Sequence, residues 1–270
     1  MKLTPLRILL PGAAGIGLLA ALLVWTITGL ITPVDPTWQA IQARGVWLVG
    51  MDPSFPPFEF LDATGQPVGY DVDLAQALAE EMGVDVQIVA LGFDGLIDAL
   101  LNGKVDSVIS ALPFDPRLTE DVRYSQSYFE AGVRLVTRLE SGITGVETLS
   151  GRTVAVEWGG AGDVHLRRLQ REEPTIQRRA YETQTEALEA LIQGEADAAL
   201  VEGVTFALAQ GRGMALQAVG PALESTPYVI AMPITATILA QQTNENLTKL
   251  QKSGFLLRLE RRWFSRDGTP

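Results

Sequence analysis

The chain has no cysteine among its 270 residues. Disulfides, thiol nucleophiles and cysteine-ligated metals are therefore excluded, as is a lipid anchor on an N-terminal cysteine. Histidine is nearly missing too, with His165 the single example. An imidazole metal site or a Ser-His-Asp triad would have to be built on that residue, and no catalytic set, metal site or cofactor is expected. Basic residues are scarce: 21 Lys and Arg stand against 32 Asp and Glu, a formal charge of −11. A basic face for nucleic acid is thus not expected. The acidic balance bears on solubility more than on small-ligand chemistry.

What is present is apolar material, 47% of the residues. That is enough for a core larger than one average domain. Residues 1–34 stand apart. Lys2 and Arg7 are their only charges, and residues 8–31 carry none. A bilayer-crossing helix needs about 20 apolar residues. A cleavable signal usually has an apolar core of about 7–15 residues followed by a small-residue site. The run here is longer, is interrupted by Pro11 and Gly12, and ends in TGLITP without such a site. It reads as an uncleaved transmembrane or signal helix and spacer. Its leading positive charges predict that the rest of the chain is exported and stays tethered.

Beyond the spacer, strand and helix patterns alternate. Residues 37–43 read as a short helix, 46–51 as a strand, and 58–61 with 67–70 as a hairpin about the turn DATG. Residues 71–82 carry the clearest helical spacing, with Asp71 as the expected N-cap and Gly83 as the stop. Strands are predicted at 84–91 and 106–112, with a helix at 94–101 between them. This order predicts an α/β fold with mainly parallel sheets.

ALLNGKVDSVI at 99–109 is nearly repeated by ALIQGEADAAL at 190–200. Each segment is an amphipathic helix end, a Gly, an Asp and an apolar strand. Such self-similarity is what two lobes on one plan would show, although helix–Gly–strand junctions are common. GRTVAV at 151–156 opens the second half with a fresh strand. Residues 227–233 read as a further strand, and 244–264 as a helix interrupted by Gly254.

VGMDPSFPPFEF at 49–60 resembles the first segment of the family 3 extracellular solute-binding proteins, which bind polar amino acids. GYDVDLAQALA at 69–79, FDGLIDAL at 93–100 and GKVDSVIS at 103–110 continue the resemblance in order. YSQSYFE at 124–130, LSGRTVAV at 149–156 and TPYVIA at 226–231 resemble the segments around the family's lobe crossings. The likeness spans roughly residues 45–264. It implies two α/β lobes, each a mainly parallel sheet flanked by helices, with two crossing strands as the hinge. The division expected is lobe one at 35–137, lobe two at 138–226, and a return to lobe one at 227–270. It implies a periplasmic receptor, monomeric, that delivers a small ligand to an ABC permease.

The resemblance also implies where ligand binds. Asp52, Phe55 and Phe93 match first-lobe cleft residues. Ser110, Ala111 and Leu112 match a segment that usually continues with a hydroxyl residue and an arginine forked onto the ligand carboxylate. Here Pro113 replaces the hydroxyl residue and Leu118 takes the arginine's position, with Arg117 one residue early. On lobe two, Trp158, Gly160 and Ala161 belong to EWGGAG, whose N–H groups could face an anion. Glu202 stands where an ammonium-binding acid is expected. Asp52, Glu157 and Glu202 with Phe55, Phe93, Phe114 and Trp158 would favour an amino acid or related cation or zwitterion. Each has a plainer reading: Asp52 as a turn cap, Phe55 and Phe93 as core, Glu202 as a solvated acid. The rival functions are a lyase resembling the family's cyclohexadienyl dehydratases and a sensor module with altered ligand.

Overall fold

The computed structural model describes residues 35–264. The expected N-terminal anchor lies outside them. Among the described residues no helix is long and apolar enough to cross a membrane.

The first lobe begins with α1 (Pro36–Arg44) and β1 (Val46–Met51), then the short strands β2 (Ser54–Phe55), β3 (Glu59–Leu61) and β4 (Pro67–Val68). It continues with α2 (Tyr70–Met82), β5 (Asp85–Ala90), α3 (Leu96–Leu101), β6 (Ser107–Val108) and β7 (Val122–Tyr124). After the crossing strand β8 (Phe129–Glu130) come β9 (Val133–Arg138), β10 (Thr153–Glu157), α4 (Ala161–Glu172), β11 (Gln177–Tyr181), α5 (Gln184–Gln193), β12 (Ala198–Glu202), α6 (Gly203–Gly211) and β13 (Leu216–Glu224). The chain returns through β14 (Pro227–Tyr228) to β15 (Ala231–Pro233), α7 (Thr237–Lys252) and α8 (Phe255–Phe264).

The two five-stranded sheets have matching orders, β5-β1-β6-β15-β7 and β11-β10-β12-β9-β13. The near-repeat supplies α3–β6 in one lobe and α5–β12 in the other. Its two aspartates do the same work. Asp106 Oδ2 accepts the Leu48 N–H at 2.8 Å, and Asp197 Oδ2 accepts the Thr153 N–H at 2.9 Å. Each thereby ties the start of the central strand to its neighbour. The sheets are mixed rather than mainly parallel. In each, four strands point the same way, but β15 and β9, inserted between them, run reversed because they arrive from the other lobe, so half the pairings are antiparallel. All of β9 pairs within the second sheet, so that sheet begins ahead of the expected 137/138 division.

α2 buries Leu74, Leu78 and Ala75 completely. Each leucine contributes roughly 2 kcal/mol by leaving water. Gly83 at φ 72° closes the helix, its N–H bonded to Glu80 O at 3.1 Å. Asp71 does not cap α2: Gly69 holds that position, and the Asp71 side chain turns inward. The strand predicted at 106–112 is only Ser107–Val108. Ala111 adopts φ 41°, which takes the chain out of the sheet and into the cleft wall. The C-terminal helix starts earlier than its pattern suggested and breaks at Gly254, φ 70°.

β8 and β14 form the two-stranded hinge. Glu130 pins it. Its Oε1 accepts the N–H groups of Gly132 (2.9 Å) and Thr226 (2.7 Å), and its Oε2 accepts the Ser225 hydroxyl (2.7 Å). One carboxylate thus ties both crossing segments together.

Candidate ligand-binding cleft

The carboxyl ends of β1 and β6 carry the first-lobe wall. Asp52 follows β1 directly, and its Oδ2 accepts the Phe93 N–H at 2.8 Å. That bond caps the turn Phe93–Gly95 and leaves Oδ1 unengaged by it. The Asp52 carboxylate thus braces the segment bearing Phe93 rather than the turn at Pro53. A cavity of about 300 Å³ opens here, lined by Asp52, Ser54, Phe55, Glu59, Phe93, Ser110, Ala111, Pro113 and Tyr228. It falls at the lower end of ordinary small-molecule sites. Phe55 and Phe93 are 45% and 46% exposed, so neither ring is core.

Beneath this wall lie two buried acids. Ser110 Oγ accepts the Asp52 N–H at 3.0 Å and donates to Glu59 Oε1 at 2.9 Å. Its hydroxyl proton is therefore committed to Glu59 rather than to a ligand. Asp71 Oδ2 accepts the Ala111 N–H at 2.6 Å and the Tyr128 hydroxyl at 2.9 Å. That contact holds Ala111 in its left-handed conformation. Burial, then the Asp71 charge, pushes the Glu59 carboxyl far up, to about 11. Burial also raises Asp71, against the donors Ala111, Glu59 and Tyr128.

A second hollow of about 320 Å³ adjoins the first through Phe55 and Tyr228, and is lined also by Gly132, Ala161, Glu202, Thr205, Glu224 and Thr226. Here the lobes face one another. Glu202 is exposed at the end of β12, and its N–H donates to Gln184 Oε1 at 2.8 Å. Gln184 Nε2 donates to Glu157 Oε2 at 3.3 Å, so one side chain links the two lobe-two acids.

The other expected positions fall elsewhere. Leu112 and Arg117 line a neighbouring hollow of about 430 Å³ with Phe114, Leu118 and Tyr124. The Arg117 side chain is 86% exposed and its guanidinium forks onto Asp115, with Nε to Oδ1 at 2.9 Å and Nη2 to Oδ2 at 2.7 Å. This pairing holds Asp115 down at about 2. Trp158 is 72% exposed on a separate open hollow with Tyr181, Glu182 and Glu186. Gly160 sits at the N-cap of α4, but an anion there would meet competition. Asp163 from the first turn already accepts the Gly159 N–H at 3.0 Å.

The structure thus brings Asp52, Phe55, Phe93, Ser110 and Ala111 together, and sets Ala161 and Glu202 across the adjoining hollow. The first-lobe residues the sequence reading passed over are Ser54, Glu59 and Tyr228. Glu59 did carry a signal: an acid between two phenylalanines in an otherwise apolar run. Among the described residues no group of His, Asp and Glu could hold a metal ion.

Known proteins match along most of this chain. It is 26% identical over 232 residues to the L-cystine-binding protein TcyJ of Escherichia coli, covering 85% of this chain and 86% of that one. It is 28% identical to an L-arginine-binding protein of Pseudomonas aeruginosa, covering 81% and 88%. The crystal structure of the L-cystine solute receptor of Neisseria gonorrhoeae, in its unliganded open conformation, superposes with a TM-score of 0.71 over 86% of this chain and 98% of that one, at 21% identity. That likeness establishes the two-lobed fold. The family profile of the bacterial extracellular solute-binding proteins, family 3, matches residues 48–266, and the chain belongs to that family.

Proposed function

We propose that this protein is the extracytoplasmic receptor of an ABC-type importer, and that it takes a small amino-acid-like ligand bearing a cationic group into the interlobe cleft. One observation carries the cationic preference: Asp52 and the uncovered rings of Phe55 and Phe93 face the cavity, while the arginine that would fork a carboxylate is replaced by Leu118. A carboxylate and aromatic faces together suit an ammonium or guanidinium group. Glu202 supplies a second acid from the opposite lobe. Closure of the lobes about the Glu130 hinge would bring it onto the ligand, and the closed form would be what the permease reads. Tethering through residues 1–34 and action as a monomer belong to the same reading.

The relatives named for L-cystine and L-arginine support binding over catalysis. The test is a thermal-shift and calorimetric screen of the full chain against amino acids, polyamines, betaines and cyclic carboxylates. A ligand at a hundred times its dissociation constant adds about 2.7 kcal/mol of stability. Binding of L-arginine or another cationic amino acid is expected. Asp52→Asn should weaken it by about tenfold or more, the worth of a charge-assisted hydrogen bond. Tight, salt-insensitive binding of a simple anion would sink the cationic preference, and turnover of a cyclic carboxylate would replace the receptor with a lyase.

A further inference from the structure

Among the described residues, the two acids beneath the first-lobe wall have no basic partner. Glu59 is 1% exposed and Asp71 is fully buried. Among the described residues no lysine, arginine or histidine bonds to either, whereas the buried acids Asp106 and Asp163 pair with Arg44 and with Arg178 and Arg167. The groups facing them are Asp52 at the end of β1, Tyr128 ahead of β8, Tyr70 within α2 and Tyr228 on β14, together with the Ser110 hydroxyl. All of these are acidic or neutral. Two buried carboxylates without a cation would repel strongly, and neither would be solvated.

The hydrogen bonds show how this is resolved. Glu59 Oε1 has its donor in Ser110, and Asp71 Oδ2 has two donors, Ala111 N and Tyr128 Oη. Glu59 Oε2 and Asp71 Oδ1 are left, both sealed from solvent and without a donor from any other group. Ser110 and Ala111 are neighbours in the chain, so their bonds hold the two carboxyl groups against the same short segment, and each acid enters the other's titration as a hydrogen-bonding neighbour. One proton held between the two carboxyl groups would give the orphaned oxygens, Glu59 Oε2 and Asp71 Oδ1, the donor and acceptor they lack. Without it the pair is two acceptors facing one another.

We propose that Glu59 and Asp71 share a single proton, and that this proton holds the Ser110–Ala111 wall of the cleft in place. Glu59 fixes Ser110, and through it the Asp52 N–H. Asp71 fixes Ala111 in its left-handed conformation. Both are positioning residues, and the cavity floor they form carries one negative charge, not two. The shared proton stands whatever the cleft binds; only its bearing on ligand rests on the receptor reading.

The deciding measurement is infrared difference spectroscopy of the full chain at pH 8. The wild type should show a carbonyl band of a protonated carboxyl group, sensitive to deuterium exchange, that Glu59→Gln removes. Glutamine can still donate to Asp71, so this variant keeps the network while lacking the proton. A wild-type spectrum with no such band overturns the proposal even if the variant fails to fold, and so does a band that survives in Glu59→Gln. Unfolding midpoints from pH 5 to 9 add a second reading. Both folded-state acids are raised, so the folded protein holds the proton more tightly than the unfolded chain, and stability is lost as pH rises. The wild-type midpoint should fall across this range relative to Glu59→Gln; equal slopes would count against a shared proton.

Discussion

Each lobe buries an aspartate in the first turn of its first sheet-flanking helix, and the two aspartates are handled in opposite ways. In lobe two, Asp163 of α4 is met by cations. Arg178 Nη2 donates to its Oδ2 at 2.8 Å, Arg167 Nη2 reaches the same oxygen at 3.2 Å, and the Gly159 N–H adds a third donor. Arg178, followed by Arg167, holds Asp163 well below the usual carboxylate range despite its burial. In lobe one, Asp71 of α2 meets a tyrosine, a backbone N–H and another acid, and burial raises it. The sheets have the same strand order and the aspartates nearly the same place, so topology does not set the charge state. The neighbours do. Lobe two uses its acid to clamp β11 to α4. Lobe one sets its acid behind the cavity.

The largest effect should come from breaking the lobe-two arrangement. Asp163→Ala would strand Arg178, whose side chain is only 23% exposed. Removing one partner of such a buried pair costs about 3 kcal/mol or more. For a chain of this size that lowers the melting temperature by roughly 6–12 °C. The pH dependence should also be opposite in sign to that of lobe one. Asp163 has a depressed folded-state pKa, so its stabilisation is present above the ordinary Asp range and is lost as pH falls below it. Thermal melts of wild type and variant at pH 7 and in the acid range would show the difference shrinking on acidification. A difference that stays constant would mean that Arg178 does not hold Asp163 charged, and the contrast with Asp71 would fail.

A smaller effect sharpens the likeness of the lobes rather than their contrast. Asp106 and Asp197 occupy corresponding places in the near-repeat and accept corresponding N–H groups. They differ in cover: the Asp106 side chain is 11% exposed and pairs with Arg44, while Asp197 is 35% exposed with Arg152 at 3.5 Å. Asp106→Ala should cost about 2 kcal/mol and Asp197→Ala about 1 kcal/mol, since the better-buried site leaves its N–H less able to find water. Urea titrations of the two variants give the ordering directly. Reversal of the order would break the correspondence between the junctions.

The near-repeat was legible because helix–Gly–x–x–Asp–strand is a local pattern, and local patterns survive in sequence. The two-lobed plan followed from it and from the family likeness. The reversed entry of β9 and β15 did not, because the direction of a crossing strand depends on the partner lobe. Asp52 and Phe55 follow β1 within four residues and Phe93 follows β5, and the family likeness, not spacing, pointed to all three, which line one cavity. Glu59 and Asp71 form their network with Ser110 and Tyr128, dozens of residues away, so local spacing could suggest only a cap for Asp71. Ala111 illustrates the same limit. Its φ of 41° is imposed by the Asp71 contact and is invisible in a run of apolar residues. Trp158 beside glycines suggested a wall of the cleft, yet it lines a separate open hollow with Tyr181.

The smallest expected effect concerns Arg117, and its smallness is informative. A shift of one residue within a loop decides whether a guanidinium enters the cleft or faces solvent, and the geometry has Arg117 outward on Asp115, two residues before it. Such an exposed local pair is weak and screened by salt. Arg117→Ala should therefore leave the melting temperature within measurement error and leave the affinity for the proposed cationic ligand unchanged, whereas Asp52→Asn lowers it. The two variants together ask which wall of lobe one recognises the ligand. If Arg117→Ala instead weakens binding, the loop at 113–118 must turn inward on closure. The carboxylate of the ligand would then have an arginine after all, and lobe one would recognise both ends of an amino acid instead of its cation alone.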